Sequence, residues 1–380
     1  MLLIASVWAA TGFAVYVYLG SHRSALASQA KRPGQGGPKD GPIQHLPGTL
    51  YLVQDGTLYR LQRGTFTVLL KSPGGSAGWS QPAVTPDGQS LVVVRRDYAY
   101  SDLYLVDPAG NVQSQMTHDA NKTVELNHWA LYPRLSADGT TVFFSYDPKD
   151  RLNNYNVVLA VWSAPLAGTV NQMKKWTTPN NYTGGDLQPS PLAAGGVIYT
   201  KYAFQQATNK IMGQVWLTTR AGAAGRPLTQ PEEDCSQAIL SPDGRRLAMI
   251  CTGGKQLTTI EIASFDGTNV GPRQVIASGQ LAGQPTWAPD GGSLVYLAAQ
   301  GISGHFQLWL QQLPQPPPPP VATASPVTLK PATPPRGARV ASPTATPVPS
   351  PTPTVTPPPK AVQLTTDLDF DATSTIAWHA

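Results

Sequence analysis

The chain has 380 residues, 41% of them hydrophobic, which is enough to bury a large core, and its 35 glycines and 38 prolines argue against long helices and for strands joined by turns. The net charge of +5 sits outside the presumed body. Residues 1–47 carry four basic side chains and one acid, residues 313–360 carry four and none, and the remainder holds 19 basic and 21 acidic residues. A duplex-binding body is thereby excluded, so no nucleic-acid partner is expected.

The first twenty residues, "MLLIASVWAATGFAVYVYLG", contain no charge. As a helix they would span roughly 30 Å, so residues 1–20 are expected to form a transmembrane anchor. The alternative is a signal peptide cut at the small-x-small site Ala25–Ala27, but the apolar run exceeds a usual signal core and no basic stretch precedes it. The basic residues all follow the run, which by the positive-inside rule would hold the body in the cytoplasm. The Pro/Thr tract and a potential cysteine pair favour export instead, and the expectation is a membrane-anchored, extracytoplasmic body. Residues 21–47, rich in Gly, Ser, Pro and Lys, read as a flexible linker.

From residue 48 the chain reads as strands. "GTLYLVQDGTLYRLQRGTFTVLLKS" (Gly48 to Ser72) supplies three, and a repeat then begins: "QPAVTPDGQSLVVV" (Gln81 to Val94), "YPRLSADGTTVFFS" (Tyr132 to Ser145), "QPSPLAAGGVIYTK" (Gln188 to Lys201), "SQAILSPDGRRLAMI" (Ser236 to Ile250) and "QPTWAPDGGSLVYLA" (Gln284 to Ala298). Each copy is a hairpin: in "SPDG", Pro242 fixes the first turn position, Asp243 tolerates the second, and Gly244 supplies the positive φ that closes the loop. A second alternating segment follows each copy, such as "SDLYLVD" or "FQLWLQQ", often with a closing Leu-Thr or Met-Thr pair. One four-stranded sheet cannot bury both of its apolar faces; copies stacked around an axis can.

The motif resembles the WD-repeat-like propeller units of TolB and related bacterial proteins, whose consensus places Pro-x-Trp-Ser-Pro-Asp-Gly before an apolar strand. The resemblance covers roughly residues 48–380. It is close in Gln284 to Gly291 and in Ser236 to Gly244, and weak in the third copy, where Leu192 to Gly196 lacks the Pro-Asp pair. The amino-terminal domain of TolB has no counterpart. The resemblance implies a β-propeller more firmly than it implies any task.

"STIAWHA" at the end of the chain aligns with "QPTWAPD" and stops where the turn would begin, so the last strand is expected to complete the first sheet. Five complete motifs and this split one predict an all-β, six-bladed propeller over residues 48–380. Leu313 to Lys360, with 18 of the 38 prolines, is expected to be a disordered insertion in the sixth blade. Linker and insertion should emerge on the face of the motif turns, leaving the opposite face open.

That open face should gather the long loops and the aromatic and arginine side chains suited to a contact surface: Arg95, Arg96, Tyr98, Tyr100, His128, Trp129, Tyr146, Tyr155, Tyr182, Tyr202 and Phe204. "GGSAG" (Gly74 to Gly78) fits the nucleophile-elbow pattern, but it links two sheets instead of a strand to a helix, which argues against Ser76 as a nucleophile. His22, His45, His118, His128, His305 and His379 show no ligand spacing, and no loop cradles phosphate, so neither a metal nor a cofactor is expected. Cys235 and Cys251 lie about equally far from the turn at Asp243, which leaves open a cross-strand disulfide or two buried thiols. The expectation is a non-enzymatic module that binds a protein or an envelope polymer. The alternative is a lyase or hydrolase acting on glycan or peptide at the axial channel.

Overall fold

The computed structural model describes residues 31–33, 41–149, 157–168, 172–253, 255, 257–299, 304–313 and 359–380. The expected anchor at 1–20, most of the linker and nearly all of the Pro/Thr insertion lie outside them, and no helix among the described residues is long and apolar enough to cross a membrane. The described chain is all-β, with only short 3-10 turns such as Pro42–His45.

The chain enters through β1 (Thr49–Gln54), β2 (Thr57–Gln62) and β3 (Thr65–Leu70). Four-stranded groups follow: β4 (Gly78–Val84), β5 (Leu91–Arg96), β6 (Ser101–Val106) and β7 (Val112–Gln115), then β8 (Trp129–Leu135), β9 (Thr141–Asp147), β10 (Ala160–Pro165) and β11 (Lys174–Lys175). The next two are β12 (Asp186–Pro191), β13 (Val197–Gln205), β14 (Lys210–Thr218) and β15 (Arg226–Pro227), and β16 (Cys235–Leu240), β17 (Arg246–Cys251), β18 (Thr258–Phe265) and β19 (Val270–Gln280). Last come β20 (Ala282–Trp287), β21 (Ser293–Ala299), β22 (Phe306–Gln312) and β23 (Val362–Gln363), with β24 (Ala377–His379) at the end. Strands within each group pair antiparallel in chain order, and β24 joins β1 to complete the first sheet. The groups β4–β7 and β8–β11 form one eight-stranded sheet through a single parallel pair, Ser101 with Trp129. The leading strands β24, β4, β8, β12, β16 and β20 each pack against the next, and β20 packs back against β24.

The repeated motif accounts for this regularity in two ways. At the turns, the N–H groups of Gly88, Gly139, Gly244 and Gly291 donate to the carbonyls of Thr85, Ser136, Ser241 and Ala288 at 2.8–2.9 Å, each glycine at a φ near +70°. The third copy keeps this bond, Gly195 to Leu192 at 3.0 Å, because it kept the glycine although it lost the Pro-Asp pair. In the leading strands, Gln81, Tyr132, Gln188, Gln237 and Gln284 all hold positive φ, from +49° to +58°, and each sits in a β-bulge where the register with the following strand slips.

The closing pairs also have a structural reason. Met116, Trp176, Leu228 and Leu364 donate their N–H to the carbonyls of Leu103, Val161, Val215 and Leu308 at 2.7–2.8 Å. The next residue in each case, Thr117, Thr177, Thr229 or Thr365, accepts the N–H of that same third-strand residue on its hydroxyl at 2.9–3.0 Å. Each sheet is apolar on both faces because it is packed between two others. Along β5, Leu91 and Val93 point into one core and Val92 and Val94 into the next, all four without solvent contact.

Between the two chain ends, Leu50 lies opposite Trp378, and Ile376, Trp378, Leu50 and Leu52 share a core with Leu297, Leu308 and Phe370. The Trp378 indole N–H donates to the Pro47 carbonyl at 2.7 Å. The linker differs from expectation at its near end, where Pro42–His45 form a 3-10 turn and bury Ile43 and Leu46 in this same core. Lys31 lies at the opposite rim, where its N–H donates to the Asp367 carbonyl at 2.7 Å and the Gln54 amide donates to its carbonyl. The chain before β1 therefore touches both faces instead of leaving one wholly open. Cys235 and Cys251, directly opposite in β16 and β17, are disulfide-bonded.

At the seam, Gly48 holds φ +69°, and a Cβ there would stand 2.0 Å from the His379 carbonyl oxygen. Gly48→Ala should cost at least about 3 kcal/mol and lower the melting temperature by roughly 6 °C or more. Gly195→Ala, where φ is also positive but the space is open, should cost roughly 1 kcal/mol. Calorimetry of the two variants checks the contrast.

Candidate binding face and the cluster beneath it

The links β5–β6 and β13–β14, together with the segments between sheets, lie on the face opposite the motif turns. Asp97 organises the first of these. Its Oδ1 accepts the Tyr98 N–H at 2.7 Å and the Ser76 hydroxyl at 2.8 Å, and its own N–H donates to the Tyr100 carbonyl at 2.9 Å. The hydrogen bonds from the Tyr98 backbone and from Ser76 hold the Asp97 carboxyl below its usual range. Ser76 is thus an exposed turn residue bonded to a carboxylate. The turn projects Tyr98, 85% exposed, into solvent. Arg96 is exposed with its guanidinium 5.7 Å from the centre of the Trp129 ring, while Arg95 is half-buried, as are Tyr100, His128 and Trp129. Tyr182 is 74% exposed, and on β13–β14 Phe204 (54%) pairs across the hairpin with Ile211 (48%). Tyr202 is half-buried, and burial pushes its hydroxyl up to about 12. Tyr155 lies outside the described residues.

Tyr146 is the correction among these residues. It belongs to β9, which runs through Asp147, and strand alternation turns its ring inward, leaving 7% exposed. It therefore supplies no contact surface. Its hydroxyl lies 3.1 Å from Asp119 Oδ1 and 3.0 Å from His128 Nδ1, and its ring stacks on the His128 ring at 5.7 Å. Asp119 is buried, and its other oxygen, Oδ2, has no hydrogen-bond partner. Burial, reinforced by the neighbouring Asp102 charge, pushes the Asp119 carboxyl up to about 7 despite the hydrogen bond from Tyr146. Asp102 is also raised, chiefly by burial, and accepts from Thr117 Oγ1 at 3.0 Å and from the Asp119 N–H at 2.8 Å. Burial lowers His128, with the nearby Asp147 charge opposing it. At the rim, Asp147 pairs with Lys149 at 3.0 Å. At neutral pH the chain Asp119–Tyr146–His128 thus joins a carboxyl near its titration point, a phenol held protonated and a neutral imidazole.

Asp102 and Asp119 were not singled out from the sequence, although a signal was present. Asp102 occupies the register position that Gln214 and Gln307 fill in other sheets, beside the same closing threonine. His118 is exposed, and no group of three metal-ligating side chains that could hold an ion is found among the described residues.

Among solved structures the chain is similar to TolB from Acinetobacter baumannii, with a TM-score of 0.53 at 17% identity over 70% of this chain and 61% of that one. The fold is a TolB-like β-propeller. A TolB of Agrobacterium tumefaciens matches 70% of this chain and 84% of its own at 15% identity and a TM-score of 0.48. A puromycin-hydrolyzing peptidase of Mycobacterium tuberculosis matches 74% of this chain and 48% of its own at 16% identity and a TM-score of 0.46. No protein-family model and no curated protein matches the sequence. At these identities the likeness concerns the fold alone.

Because the folded Asp119 titrates near 7 and the unfolded one near 3.8, folding is penalised by a buried carboxylate as pH rises between those values, fully so above 7. Asp119→Asn removes the penalty. The variant should therefore gain stability relative to wild type as pH rises from 5 to 8, by roughly 2–3 kcal/mol at about 1.4 kcal/mol per unit. Denaturant unfolding at the two pH values reads this difference directly.

Proposed function

We propose that the chain is a membrane-tethered, six-bladed propeller that works as a binding module outside the cytoplasm, holding a protein or an envelope polymer on its loop face without transforming it. The observation that carries this reading is the exposure of Tyr98, Tyr182 and Phe204 on three separate segments of one face, with Arg96 and Trp129 beside them. Rigid aromatic rings lose little entropy on contact and supply most of the area of such surfaces. Bringing three of them into water on a body whose other described aromatic side chains are buried or half-buried favours a partner that covers them.

The apolar first twenty residues support the tether, and the 18 prolines between Leu313 and Lys360 suit a spacer on the turn face. The enzyme reading, a hydrolase or lyase, draws its support from one place, the Asp119–Tyr146–His128 chain, in which a carboxyl near pKa 7 abuts a phenol and an imidazole. Asp119 and Tyr146 are both buried, which favours the binding reading over it.

The two readings separate in one experiment with the full chain in intact cells and a membrane-impermeant crosslinker. A stoichiometric crosslinked partner is expected with wild type and is expected to be lost when Tyr98, Tyr182 and Phe204 are changed together to alanine, with the melting temperature unmoved. An unchanged crosslinking pattern in the triple variant, or turnover of a peptide or glycan abolished by His128→Ala, would overturn the reading.

A further inference from the structure

On the opposite face the propeller axis opens between the motif turns. The side chain two residues beyond each bulge, or its counterpart in the closing segment, is Ala83, Arg134, Ser190, Ile239, Thr286 or Ile376. Below this level, the bulge residues Tyr132, Gln188, Gln237 and Gln284, with Thr375, enclose a cavity of about 20 Å³, room for about one water. Above it the channel widens to a funnel of about 250 Å³ whose walls include Val84, Leu135, Leu240, Trp287 and Trp378. Arg134 lines both spaces.

Arg134 is half-buried where it lines the two spaces. Burial alone moves its pKa, down to about 10, and no charged group opposes the shift, so at neutral pH it remains a cation. Among the described residues it makes no ion pair, and of the 22 acids in the sequence only Asp40 and Asp150 fall outside them. The hydroxyls at its level are already engaged: Ser190 accepts the Leu240 N–H at 3.2 Å, and Thr286 donates to the Ile376 carbonyl at 3.2 Å. The turn aspartates nearer the mouth are directed at their own turns, Asp87 and Asp243 accepting the N–H groups of Gln89 and Arg245 at 3.0 and 3.1 Å. A guanidinium held in a largely apolar funnel without a counter-charge is costly, and its planar fork matches a carboxylate.

We propose that the axial funnel of the turn face binds a carboxylate carried on a short apolar stem, with Arg134 holding the carboxylate and Trp287, Trp378 and Leu240 enclosing the stem. The site does not depend on the loop-face reading, since it lies at the other end of the axis. Its chemistry admits a free organic acid or the carboxylate of a peptide. Two pairs of probes distinguish these sources: 4-phenylbutyrate against 4-phenylbutyramide, and an acetylated peptide ending in Phe with a free carboxylate against the same peptide amidated.

With the full chain, at least one carboxylate should raise the melting temperature saturably while its amide does not. Arg134→Met should abolish the rise while leaving the unliganded protein as stable as wild type or more so, because it removes an uncompensated charge. Should that variant fail to fold, Arg134→Lys keeps the charge and is expected to weaken the carboxylate effect about tenfold. Equal shifts from carboxylate and amide, no shift from either carboxylate, or a shift that survives in both variants would overturn the proposal.

Discussion

The arrangement depends most on the bulge in each leading strand. A non-glycine residue at positive φ is held there against its own preference, and it persists because the neighbouring sheet fixes it. The Gln81 side chain accepts the Tyr132 N–H at 2.6 Å, and the Gln237 side chain accepts the Gln284 N–H at 2.6 Å. Gln237 N–H donates to Thr200 Oγ1 at 3.1 Å, while Gln188 N–H donates to Ser145 Oγ at 3.2 Å. Across the seam, Ser374 Oγ accepts the Gln81 N–H at 2.7 Å, and the Gln284 amide donates to the Ala372 carbonyl at 2.9 Å. The N–H that each bulge frees from its own sheet is thus satisfied by a side chain of the preceding one. These bonds run between sheets, where β-ladders cannot, and they tie apolar layers whose packing alone would leave their relative rotation free.

That relay explains why the chain ends matter to the whole. The closing segment supplies Ser374 to one neighbour, Ala372 to the other, and Ile376 and Trp378 to the core between β1 and β22. Removing it would leave Gln81 N–H and the Gln284 amide without partners and open two apolar faces to water, so loss at one seam is expected to spread around the axis. The same geometry separates two ends of the axis with different chemistry. The loop face presents rings on turns and on the β13–β14 hairpin, and the turn face narrows to an arginine.

Much of this was legible because the repeat records it. The Asp-Gly turns, the split first sheet and the alternation that buries both faces of β5 are all local patterns with one physical solution. The closing Leu-Thr pairs were visible as a pattern, although their role as acceptors for third-strand N–H groups was not. The bulge itself could not be read: nothing in "QP" announces positive φ at Gln81, since the conformation is imposed by the neighbouring sheet. Tyr146 was misplaced for a related reason, because β9 continues two residues past the point where the sequence becomes loop-like and buries the ring beside Asp119. The Asp119 chain and the Arg134 funnel are products of rotation between sheets, which brings together residues that one strand alone does not relate.

The most direct test is amide hydrogen exchange under native conditions at the five bulge positions, Gln81, Tyr132, Gln188, Gln237 and Gln284. If inter-sheet bonds at the axis hold the ring, these amides should exchange only through global unfolding, at the same free energy as core-strand amides such as those of Val92 and Val94. Rapid exchange at Gln81 or Gln284 through local opening, with Val92 and Val94 still protected, would contradict the account.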